Sequence, residues 1–170
     1  MKRAANRSGE PGGAPDAGRA DAGPSGGGRR AFPPPFSVGQ RFARRATFDA
    51  DSISRFASAC GDGNPLHHDE AAANAGPFGG LIASGPHVAG LMMGLDATSL
   101  SQGHVALGLG FTFRFARAIP AGATLTLEWT VTAVQWKPSL DGYVVGVAGR
   151  AVDDAGCEYV TATGSNLIRD

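Results

Sequence analysis

From Thr124 to Thr132 the chain alternates without a break. Leu125, Leu127, Trp129 and Val131 occupy one set of positions, and Thr124, Thr126, Glu128, Thr130 and Thr132 occupy the other. Successive side chains of a strand point to opposite faces, so the pattern describes a strand with one face in a core and one toward water. It does not suit a helix, whose apolar stripe recurs roughly every three or four residues.

The remaining elements fall around this strand. "RFARRATF" (Arg41–Phe48) reads as a strand, and Asp51 is placed to cap a short helix over "SISRFASAC". Ile53, Phe56, Ala57 and Cys60 of that helix share one face, and Gly61 ends it. "EAAANAG" reads as a second helical piece, stopped at Gly76-Pro77. A long helix starts at Pro86, with Ser84 or Gly85 as its cap. Val88, Leu91, Met92 and Leu95 make one face of it, while Ala89 and Met93 spread the apolar surface around, which marks a buried helix. "GFTFRFARA" puts Phe111, Phe113 and Phe115 on one face of a strand. Two more strands are expected about Tyr143–Val152 and Cys157–Ile168, with turns at "SLDG" and "DDAG". Strands grouped after helices argue for an α+β protein with an antiparallel sheet, here curled around one central helix. Sheet edges and apolar residues left uncovered predict a dimer or larger.

The 170 residues suffice for one domain with a real core. Fifteen basic side chains balance fifteen acidic ones, so no charge surplus points to nucleic acid. The cysteines, Cys60 and Cys157, are isolated and make neither a disulfide framework nor a zinc pattern, which fits a cytoplasmic protein. No apolar run approaches the ~20 residues of a membrane helix, and no secretory signal opens the chain. Residues 1–35 hold eight glycines and six prolines and read as a disordered arm; the folded domain is expected over 36–170.

One loop carries the chemistry. In "GDGNPLHHDE" (Gly61–Glu70), the carboxylate of Asp62 and the imidazole of His67 flank Gly63, Asn64 and Pro65, residues that favour a turn. A turn there brings both side chains to one point, and an acid and an imidazole sharing one water can do acid–base chemistry at neutral pH. The same spacing is also ordinary turn chemistry, with Asp62 capping a turn or the following helix. Downstream, "IASGPH" marks the start of the buried helix, where free N–H groups and the positive dipole end lie. Gly85 there admits close approach to the backbone.

The stretch "FASACGDGNPLHHDEAAANAGPFGGLIASGPHVAGL" closely resembles the MaoC-like family, the (R)-specific enoyl-CoA hydratases and related acyl dehydratases. Gly61, Asp62, Asn64, Pro65 and His67 match its G-D-x-N-P-x-H block, and Ile82, Ala83 and Gly85 match its I-A-x-G turn. The similarity runs over about Phe36–Asp170. The resemblance implies a hot-dog fold, an antiparallel sheet wrapped around a long central helix, usually paired as a homodimer. It implies reversible syn hydration of a trans-2-enoyl-CoA to an (R)-3-hydroxyacyl-CoA, as part of acyl thioester or fatty acid metabolism. Asp62 and His67 would activate the water, and the Gly85 N–H would bind the thioester oxygen. Asn64 would shape the loop, with Ser84 supporting the helix start. Coenzyme A or an acyl carrier protein arm would belong to the substrate, with no metal or other cofactor. Pro86 departs from the family pattern, removing one N–H and leaving Gly85, or His87 further on, as donor.

Rival readings on the same fold are a thioesterase and a non-catalytic acyl-binding subunit. Among the other residues, His68 is expected in solvent, His87 as a packing histidine and Cys60 as small buried filler. Arg114 and Arg117 are candidates for coenzyme A phosphates, with solvated strand positions as the alternative.

Overall fold

The computed structural model describes residues 31–170; most of the expected arm, residues 1–30, lies outside the described residues. Five strands form one antiparallel sheet. They are β1 (Arg41–Phe48), β2 (Val105–Phe115), β3 (Ala123–Lys137), β4 (Gly142–Val152) and β5 (Glu158–Arg169), in the order β1-β3-β4-β5-β2. The helices are α1 (Ala50–Ala59), α2 (Glu70–Ala75) and α3 (Gly85–Leu100), and short 3-10 turns cover Pro65–His67 and Pro138–Leu140. No helix among the described residues is long and apolar enough to cross a membrane.

The alternation in β3 fixes the architecture. Leu125, Leu127, Trp129 and Val131 are fully buried, while Thr124, Thr126, Glu128 and Thr130 stay partly exposed on the other face. α3 lies against the buried face and touches both edge strands, β1 and β2, as well as β3. A helix can reach both edges of a five-stranded sheet only when the sheet curls around it. The expected hot-dog arrangement is therefore the one observed. The indole N–H of Trp129 donates to the Met92 carbonyl at 2.8 Å, and the Arg44 guanidinium donates to Leu91 O at 3.2 Å, so both β3 and β1 grip the helix.

Several local expectations change. The cap of α1 is Asp49, which accepts from Ser52 N at 2.8 Å. Asp51 lies inside the first turn and pairs with Arg55 at 3.1 Å. The expected cap at Asp51 thus falls too late: the helix starts directly after Asp49, which follows the buried Phe48 at the end of β1. Cys60 is exposed rather than buried, because it follows the last turn of α1. Met93 is 40% exposed, so α3 is not covered on every side. Residues 31–35, at the end of the expected arm, are described: Phe32 packs edge-on against Tyr143 at 5.1 Å, and its carbonyl accepts from the Tyr143 hydroxyl at 2.7 Å.

Candidate active site

Asp62 is held by the end of α1. Gly61 adopts φ +72, a left-handed turn that glycine takes without strain. The turn sends the Asp62 N–H back to Ala57 O at 2.9 Å. Asp62 Oδ1 accepts from Asn64 N at 3.0 Å, and Asn64 Oδ1 accepts from Leu66 N at 3.1 Å, which caps the 3-10 turn. The turn chemistry expected of D-x-N-P is therefore present, and it coexists with the juxtaposition of acid and imidazole. The helix after the loop is capped by Asp69, not Asp62.

His67 is the last residue of the 3-10 turn and is buried. Its Nδ1 lies 2.7 Å from the carbonyl of Ile82. A carbonyl only accepts, so Nδ1 carries the proton, and a neutral ring keeps its lone pair on Nε2. Nε2 faces Asp62 Oδ2 at 3.5 Å. The contact is longer than an ordinary hydrogen bond, and the carboxylate remains about a third exposed. Ile82 is fixed in turn, its N–H donating to Leu66 O at 3.1 Å.

His68 does not point to solvent. Its Nε2 lies 2.6 Å from the carbonyl of Asp62 and its Nδ1 lies 3.1 Å from Ser54 Oγ. The carbonyl must accept, so Nε2 donates and Nδ1 accepts the serine hydroxyl. The ring thus ties the Asp62 backbone to α1. Spacing alone misses this, because adjacent side chains on a 3-10 turn face different elements.

His67 lines a cleft of about 350 Å³ together with Ile82, Ser84, Gly85, Phe115 and Ile119. Of the expected site residues, His67, Ser84 and Gly85 share this wall; Asp62 backs His67, and Asn64 sits exposed on the loop. Gly85 opens α3. Pro86 has no N–H, and the His87 N–H donates to Ser84 O at 3.0 Å, so Gly85 is the donor left at this helix start. A methyl group added at Gly85 would stand 3.2 Å from Cζ of Phe115, so the bare backbone keeps the cleft open there. Ser84 is buried, and its Oγ has no hydrogen-bond partner.

His87 packs as expected, stacked on Phe56 at 4.6 Å and edge-on to Phe48 at 5.2 Å. Burial lowers its pKa below the usual histidine value, which favours the neutral ring. The two arginines part company: Arg117 lines the cleft at its exposed rim, whereas Arg114 lies beside Thr112, Thr161 and Thr163. Phe115 and Phe78 also line the cleft. Phe115 was visible as one of three alternating phenylalanines, whereas nothing in the sequence pattern marked Phe78.

The arrangement can polarise a small polar molecule between a lone pair and a carboxylate, beside a helix N-terminus suited to developing negative charge. Residues 35–150 match the family described as MaoC like domain. The UPF0336 protein of Streptomyces avermitilis is 30% identical over 147 residues, which are 78% of this chain and 86% of that protein. An (R)-hydratase from A. caviae involved in PHA biosynthesis superposes with a TM-score of 0.70 at 28% identity, covering 78% of this chain and 96% of that one. The R-hydratase PhaJ1 from Pseudomonas aeruginosa, in its unliganded form, does so with a TM-score of 0.70 at 29% identity, covering 79% and 83%.

Proposed function

The chain belongs to the MaoC-like domain family, and from that premise we propose that it hydrates trans-2-enoyl thioesters reversibly to (R)-3-hydroxyacyl thioesters. The substrate is an acyl-CoA or its acyl carrier protein counterpart. The observation that carries the reading is the pairing of His67 Nε2 with Asp62 Oδ2 at 3.5 Å, beside a cleft that also holds Gly85.

In this reading one water lies to the side of the pair and donates to both Asp62 Oδ2 and His67 Nε2, which stand 3.5 Å apart. His67 Nε2 takes a proton from it as the water oxygen bonds to C3. The electrons of the 2,3 double bond move toward the thioester oxygen, where the Gly85 N–H stabilises the enolate. The imidazolium then returns its proton to C2, leaving the thioester intact. Syn addition follows if water and proton come from the same side. The Nδ1–H bond to Ile82 O supports this role, because it keeps the lone pair on the nitrogen that faces the acid.

The acting form is a homodimer or larger. β2 is an edge strand, and Val105, Leu107 and Leu109 on it are each about half exposed, which supports a partner along that edge.

The test is turnover of crotonyl-CoA, following loss of the conjugated enoyl absorbance with a free-thiol assay alongside. Absorbance loss without thiol release is expected. Thiol release would replace hydration with thioester hydrolysis, and no reaction across short and long enoyl chains would remove the activity.

A further inference from the structure

A second cleft of about 300 Å³ lies between α3 and β2, away from the Asp62–His67 loop. Met93, Gly94 and Ala97 line it from α3, and Ala106, Gly108 and Phe111 line it from β2. Two polar side chains interrupt this apolar wall, Asp96 and Asn166. Both are buried, at 1% and 3% exposure.

The pair is underbonded. Asn166 Nδ2 donates to Asp96 Oδ1 at 3.3 Å, a long bond. A carboxylate offers about four acceptor positions and an amide nitrogen two donors, so one long contact uses little of either. Burying such groups without partners is costly. Burial accordingly pushes the Asp96 carboxyl up to about 6. A core that needed only packing would be better served by apolar side chains at both positions.

The chemistry selects the missing partner. A hydroxyl, whether a water's or a ligand's, donates to the carboxylate and accepts from the second amide N–H of Asn166. A ketone oxygen gives the carboxylate nothing. An ammonium would have to shed its water in an otherwise apolar cleft.

The two clefts lie on one seam. Gly85 and Val88 of α3 with Phe115 of β2 line the first, and Met93, Gly94 and Ala97 with Ala106, Gly108 and Phe111 line the second. At roughly 1.5 Å per residue, Asp96 lies about 16 Å along the helix from Gly85. We infer that the second cleft binds a hydroxyl group, held between Asp96 and Asn166, on the far end of an acyl chain lying along this seam. The acyl thioester and its placing at Gly85 rest on the function proposed above, whereas the hydroxyl preference is read separately from turnover.

The test is calorimetric titration of the whole protein with dodecanoyl-CoA and 12-hydroxydodecanoyl-CoA, saturated thioesters that cannot be hydrated. The hydroxylated compound is expected to bind about tenfold more tightly. Asp96→Leu should erase the difference, and Asn166→Leu should reduce it. Equal binding by the wild type, failure of both compounds to bind, or a preference that survives Asp96→Leu would overturn the inference. Crotonyl-CoA turnover, measured separately, tests the catalytic reading. A hydroxyl preference without turnover would leave this site standing and remove that reading alone.

Discussion

His67 Nε2 and Asp62 Oδ2 face each other at 3.5 Å, and neither side chain depends on the other for its position. The ring is set by Ile82 O through Nδ1, and the carboxylate by Asn64 N through Oδ1. Each can therefore be changed while the other stays in place.

Asp62→Asn keeps an acceptor for the Asn64 N–H and removes only the charge. Hydration of crotonyl-CoA is expected to fall by about 10²–10⁴-fold in kcat, with the melting temperature essentially unchanged. A loss of activity that tracks a loss of folded protein would contradict the independence of the two anchors.

His68→Ala removes the donor to Asp62 O at 2.6 Å and the acceptor for Ser54. Stability should drop by roughly 1–2 kcal/mol, measured by urea unfolding. Because His68 positions Asp62 through its backbone, kcat should fall by about tenfold with KM little changed. Unchanged kcat would make the ring a purely structural tie.

Gly85→Ala puts a methyl group 3.2 Å from the Phe115 ring. Catalytic efficiency should fall by roughly 10–100-fold without loss of fold, and adding Phe115→Leu should recover part of it. A double variant no better than the single one would separate the Gly85 requirement from Phe115.

Asp96 gives a pH signature to stability. Its pKa rises from the usual 3.8 to about 6 on folding, chiefly through burial. Between those values the folded chain binds more protons than the unfolded chain, so unfolding free energy falls as pH rises. The penalty is complete above about 6. Asp96→Asn lacks this slope, and should match the wild type below about pH 3 but exceed it by roughly 3 kcal/mol at pH 8. Parallel stability curves would remove the assignment.

Much of the fold was legible because it rests on local repetition. The alternation through Leu125, Leu127, Trp129 and Val131 appears in the structure as one buried row. The spacing from Asp62 to His67 was legible for the same reason, since a short turn closes within its own residues. What spacing missed involves distant partners. Nothing near His68 names Ser54, and nothing near Asp96 names Asn166, which lies 70 positions away. Periodicity also failed on Met93, because it counts apolar residues on a helix and does not say which of its sides the sheet covers.

α3 runs without interruption from Gly85 to Leu100 and carries Gly85 and Asp96 on one rigid rod. Inserting or deleting a single residue between them would turn Asp96 by about 100° relative to Gly85. That would swing it away from Asn166 on β5. The spacing between the two clefts is thus quantised by the helical turn. Drift in this chain can retune the far cleft by substitution at Met93, Asp96 or Asn166, but not by gradual lengthening of the helix.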